Sequence, residues 1–396
     1  MRRALLLVCV AAGLGCEPGK PGGAVTVRDS AGVRIVESTE PMWAGQGWQL
    51  GDPLLEIDMG SPATAAGDAT AGARLADGRI ALRAGPSSIA WYSPDGALVR
   101  TRGGDAREAA FRNILSIERL TRDSLLVYDY GAHRLLVVNP DGSSTRQIPL
   151  PLLGRGAPPH RPHRLPDGTI IGAATHGPEP LATYESQVRV RDSMAVFRFR
   201  PQSGEVDSLA VFPHIELFVR IEGSTRGSIP FPFGRTSVLG VSGGDIIVGT
   251  AERPELRVLS HEGELKRIYR WSALPEPVTD ADIEAYVGAT RAALAGAPED
   301  LRERTVGRVE AAGRPDQKAA YTSLRIDDGG NLWLGDAPLF GSPPRGWTIL
   351  DADGRWLGRV ELPADVRLLH IGRDFILAQW RLDGREIVRV HPLVKP

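Results

Sequence analysis

A unit of four short β-type runs separated by tight turns recurs six times in this sequence, and it limits the fold more than any other feature. Its clearest copy is Ser116 to Ile148, SIERLTRDSLLVYDYGAHRLLVVNPDGSSTRQI. Ser116–Leu120 reads as a first strand, Leu125–Asp129 as a second and Arg134–Asn139 as a third. Asp141-Gly142 then turns the chain into a fourth, because glycine accepts positive φ and aspartate tolerates it. A sheet this small cannot bury both of its faces alone, so such units stack.

The other copies start at Ala73, His163, Val238, Tyr321 and Val366. The first turns of all six copies fall at Asp77-Gly78, Asp123-Ser124, Asp167-Gly168, Gly243-Gly244, Asp328-Gly329 and Arg373-Asp374. Their last turns fall at Asp95-Gly96, Asp141-Gly142, Ser203-Gly204, Glu262-Gly263 and Asp353-Gly354. The sixth copy ends after its third strand, which leaves an open edge of the kind proteins cover. Pro53–Met59 (PLLEIDM) is expected to cover it. The fold class that follows is all-β: a six-bladed β-propeller closed by an N-terminal strand, with one helical insertion.

Several stretches point to a family. They are RDSAGVRIVES (Arg28–Ser38), the PDG and DG turns, VYDYGAHRLLVVNPDG (Val127–Gly142), PFGR (Pro232–Arg235), NLWLG (Asn331–Gly335) and Gly346–Pro363. With these the chain resembles secreted six-bladed β-propeller lipoproteins, related to NHL-repeat and TolB-like propellers. The resemblance spans essentially the whole mature chain. It implies the fold and implies no particular activity. The family often carries a Gly-rich loop after the first blade; here that loop is DAREAAF (Asp105–Phe111).

Residues 1–15 read as a signal peptide: Arg2-Arg3, then the apolar run Ala4–Leu14, too short for a membrane span of about 20 residues. Cys16 follows Gly15 and is the expected lipid attachment site; ordinary secretion, with Gly13 and Gly15 as the small pair at the cleavage site, is the alternative. Residues 16–24 form a Pro/Gly tether and residues 25–396 the propeller. The expected address is the bacterial cell envelope, periplasmic or surface-exposed, with the anchor assigned to the outer membrane. The mature domain contains no cysteine beyond Cys16, so no disulfide supports it. Removing the leader leaves 45 basic against 48 acidic side chains with no block of one sign, which argues against nucleic acid as a partner. A monomer touching the membrane only through its lipid is expected.

Two interruptions break the repeat. Residues 213–235 read as a loop insertion whose IPFPFGR run cannot continue a central strand. It either tucks aromatics onto the rim or forms a lip over the central pocket. Residues 279–312 read as a helical insertion, with Thr279 and Asp282 as an approximate capping box. It either packs on a blade edge or lids one mouth.

Little chemistry is legible. Gly240–Gly244 matches G-x-S-x-G but sits between two strands, where it is a turn. Asp351–Gly354 partly matches a calcium loop and is also a turn. His160 and His163 are too few for a metal site by themselves, so no metal or catalytic residue is assigned and no cofactor is predicted. One periodic feature remains. Positions just before the first turn hold Arg74, Arg119, Arg164, Gly240, Arg325 and His370. Either each arginine pairs with its own turn acid, or Arg74, Arg119, Arg164, Arg325 and His370 form a ring at one channel mouth that binds an anion. The expected function is an envelope-anchored binding module for a protein or small-molecule ligand. The alternatives are a lactonase-like hydrolase or lyase with axial calcium or zinc, and a purely structural spacer.

Overall fold

The computed structural model describes residues 25–43, 47–60, 70–103, 111–121, 124–154, 156–175, 187–222, 225–273, 276–382 and 384–395. Residues 1–24, with the leader, Cys16 and the tether, lie outside these, as does most of the Asp105–Phe111 loop.

The chain is predominantly β, in six sheets that follow one another along the sequence. Their first strands are Gly72–Arg74, Ile114–Thr121, His160–Arg164, Val238–Ser242, Ser323–Ile326 and Val366–Ile371. Within each sheet the next strands follow antiparallel in chain order. The turn residues behave as the repeat requires: Gly78, Gly96, Gly142, Gly168, Gly204, Gly263 and Gly354 all have positive φ. In the fifth sheet the positive φ falls on Gly330, because Asp327 accepts the amides of Gly329 and Asn331 and draws the turn around itself.

The apolar runs explain how the sheets meet. In Leu125–Tyr128 the side chains alternate, and both faces are buried. Leu125 and Val127 join a core with Ala81 and Trp91 of the first sheet. Leu126 and Tyr128 join another with Ile170 of the third. Each successive pair of sheets shares such a core. The sixth and first sheets share one too, where Leu377 and Val388 pack with Ile80, Leu82 and Tyr92.

The N-terminal strands complete two sheets. Leu55–Asp58 lies antiparallel to Arg385–Val394, pairing Ile57 with Val388, which is the pairing expected of Pro53–Met59. The hairpin Val25–Ser30/Val33–Ser38 has no place in the repeat pattern. It extends the fourth sheet, with Val33–Ser38 parallel to Leu265–Trp271.

The segment 213–235, expected as a loop, is largely strand. Glu205–Glu222 continues through it, and Thr225–Pro230 adds a fifth, edge strand. The β-rich run ELFVRI supports the extension, and Pro230 is tolerated because it ends an edge strand. The helical insertion forms α1 (Asp280–Ala293) and α2 (Glu299–Ala312). Thr279 and Asp282 make the reciprocal capping box. The helices bury Tyr286, Val287, Val306 and Val309 against Phe218, Ile229, Phe231 and Phe233, so both interruptions form one side cluster.

Candidate functional site

The six first strands surround a cavity of about 240 Å³. Gly72 and Ala73, Ile117–Arg119, His163, Leu239–Val241, Leu324–Ile326 with Asp328, and Leu368–Ile371 line it, one group from each sheet. Close approach of the strands sets its size: a Cβ on Gly240 would come within 2.9 Å of Leu324 and Ile326 on the next sheet. No residue of α1 or α2 belongs to the lining.

Of the five predicted ring residues, Arg119, Arg325 and His370 line the cavity. Arg74 and Arg164 do not. The Arg74 guanidinium stacks on Phe375 at 4.9 Å and leans toward its own turn at Gly78. Arg164 likewise leans toward Gly168. Arg74 and Arg164 do not pair with their own turn acids, because Asp77 and Asp167 serve the turns themselves; Asp328 pairs with Arg119 instead of Arg325, and Asp123 lies outside the described residues. Asp77 accepts from the Arg79 amide and Asp167 from the Thr169 amide.

A polar network closes one part of the cavity. Arg119 donates to Asp328 Oδ2. The Arg74 amide donates to His370 Nδ1 at 3.0 Å, which leaves the ring proton on Nε2, 3.1 Å from Asp328 Oδ1. Burial pushes the Asp328 carboxyl up, but the His370 hydrogen bond and the neighbouring positive charges outweigh it and hold the group below the usual carboxylate range.

Two guanidinium groups at or near the cavity are not paired: those of Arg325, which lines it, and Arg161, which lies outside the lining but close enough to act on Arg325, have no hydrogen bond or ion pair among the described residues. Arg161 and Arg325 keep access to water, yet burial is the leading influence on both, lowering each below the usual guanidinium value. The charge of Arg161 lowers Arg325 further, and Glu118 works the other way on both. Glu118 is 46 % exposed, and the basic group nearest to it is the His163 imidazole, with Nδ1 at 3.9 Å. Burial pushes His163 below the ordinary imidazole value against the pull of Glu118, and its Nε2 is buried with no partner among the described residues.

Arg161 is the residue that sequence reasoning passed over. The ladder slips between His160 and His163, and Arg161 sits in the bulge with φ +48°. Pro162 has no N–H to give the ladder, and a bulge re-aims the side chain beside it. The signal was present in His160-Arg161-Pro162-His163, a proline inside a first strand.

Two of the donors a metal would need are already engaged. Both His370 nitrogens are engaged and Asp328 is held by Arg119 and His370. Among the described residues no group of three His, Cys, Asp or Glu is placed to hold a metal ion.

No family model matches this chain, and no curated protein does. Solved structures similar to it include a member of the DUF4221 family from Bacteroides vulgatus, at 10 % identity over 88 % of this chain and 99 % of that one, TM-score 0.46. Virginiamycin B lyase from Staphylococcus aureus matches at 10 % identity over 87 % and 99 %, TM-score 0.40. A gluconolactonase from Xanthomonas campestris matches at 13 % identity over 87 % and 91 %, TM-score 0.41. Likenesses this distant assign no activity, so the functional reading rests on the cavity itself.

Proposed function

We propose that the chain is an envelope-anchored binding module, a six-bladed β-propeller closed by Leu55–Asp58, that takes a small anionic ligand into the cavity between its first strands. Six successive sheets, each sharing a core with the next and the last with the first, support the propeller reading. The leader and Cys16 support export and lipid anchoring. Lipid rather than a spanning helix would hold the protein, acting as a monomer, to the membrane; no described helix is long and apolar enough to cross one.

The observation that carries the ligand class is two unpaired guanidinium groups, that of Arg325 in the cavity lining and that of Arg161 close enough to act on it. Such groups keep a residual charge that a carboxylate or phosphate neutralises with charge-assisted hydrogen bonds. Arg119 contributes less, being already paired with Asp328. The metal-dependent hydrolase or lyase reading draws no support from the donor set. The spacer reading leaves two unpaired arginine charges at and beside the cavity without a purpose.

Calorimetric titration of the full chain in mild detergent with inorganic phosphate and small carboxylates, at low salt, tests the proposal. Arg325→Gln is expected to weaken binding by about tenfold or more. Equal affinity in wild type and variant rejects the cavity as the site.

A further inference from the structure

Opposite charges face the same cavity without closing on each other. Arg325 and Glu118 both belong to its lining, on the fifth and second sheets. Neither Arg325 nor the adjacent Arg161 forms an ion pair with Glu118 among the described residues, although ion pairs elsewhere in the molecule close freely. Glu118 itself accepts no hydrogen bond among the described residues, and His163 Nδ1 stays 3.9 Å away. The two signs sit on separate strands of one cavity lining, with no ion pair closed between them among the described residues. Val241, Ile326 and Leu369 are half-buried parts of the same lining and give it an apolar wall.

We infer that the ligand is a small aliphatic zwitterion, with a carboxylate for Arg325 and Arg161 and a primary ammonium for Glu118. This rests on the anion reading above. A simple anion satisfies the arginines but leaves the Glu118 carboxylate facing added negative charge. An ammonium on the same skeleton turns that repulsion into a charge-assisted hydrogen bond. The cavity volume of about 240 Å³ suits a molecule of amino-acid size, and the apolar wall suits a short branched side chain. His163, held neutral by burial, adds no competing positive charge.

Three probes share one skeleton: leucine, 4-methylpentanoate, which lacks the ammonium, and 3-methylbutylamine, which lacks the carboxylate. Calorimetry on the full chain is expected to rank leucine about tenfold or more above 4-methylpentanoate, with the amine weakest. Glu118→Gln is expected to erase leucine's advantage while leaving 4-methylpentanoate binding intact or tighter. That retained binding shows the variant is folded, and Glu118→Asp is expected to restore part of the preference. If 4-methylpentanoate binds as well as leucine, and Glu118→Gln changes neither, the zwitterion inference is overturned and the anion reading stands. If neither carboxylate nor phosphate binds, the anion reading itself falls.

Discussion

Arg119 and Asp328, 209 residues apart in the chain, form an ion pair that joins the second sheet to the fifth. The same carboxylate takes the His370 Nε2 proton on the sixth sheet, and His370 in turn accepts the Arg74 amide of the first. One aspartate thus ties four sheets around the cavity. Asp328→Asn is expected to cost about 1–3 kcal/mol of stability, since a half-buried charge loses its partner and Arg119 is left behind. Urea denaturation monitored by tryptophan fluorescence measures it.

Asp328 also sets an acid limit. Its carboxyl is held below the usual range in the fold, so its contribution is present above the unfolded value near about 4 and fades as pH falls through the folded value. Asp328→Asn should therefore differ from wild type at pH 6 and converge with it in strong acid.

His214 works in the opposite range. Burial lowers its ring to about 4, with Arg161, His160 and Arg191 adding to the effect and Asp192 opposing it. Between pH 6.5 and that value the unfolded chain binds a proton that the folded chain refuses. Stability is then expected to fall with falling pH by about 1.4 kcal/mol per unit for this group alone. His214→Asn should flatten that part of a denaturation-midpoint profile; an unchanged slope would remove His214 as its source.

Much of the architecture was readable because glycine turns and alternating apolar strands act locally. Asp141-Gly142 turns wherever it occurs, and LLVY feeds two cores by alternation alone. The Val25–Ser38 hairpin was not placed, because its parallel docking beside Leu265–Trp271 depends on a neighbour hundreds of residues away. The site was harder for the same reason. A period in the sequence put Arg74 and Arg164 level with Arg119 and Arg325, but local leaning toward Gly78 and Gly168 takes two of the four out of the cavity. Arg161, outside the lining but near enough to act on Arg325, is set there by a bulge, a break in the very period that marks the ring.

The covering strand gives a stability prediction. Ile57 is 3 % exposed and packs with Leu377 and Val388 in the core shared by the sixth and first sheets. Ile57→Ala is expected to cost about 2–4 kcal/mol, as for other large-to-small core changes. A loss below 1 kcal/mol would mean the strand adds little to holding these sheets together.

Arg161 offers a trade between stability and binding. Its positive φ is strained for a side chain, and glycine relieves it. Arg161→Gly is expected to raise stability by about 1 kcal/mol and to weaken carboxylate binding by about tenfold. A variant that loses stability and keeps its affinity would show that the bulge serves packing rather than the ligand.

The most direct measurement is a crystal structure grown with selenate, read by its anomalous signal. Selenate bound in the cavity, between Arg161 and Arg325, is the predicted result. Anomalous peaks confined to arginines on the outer surface, with water alone in the cavity at saturating selenate, would contradict it.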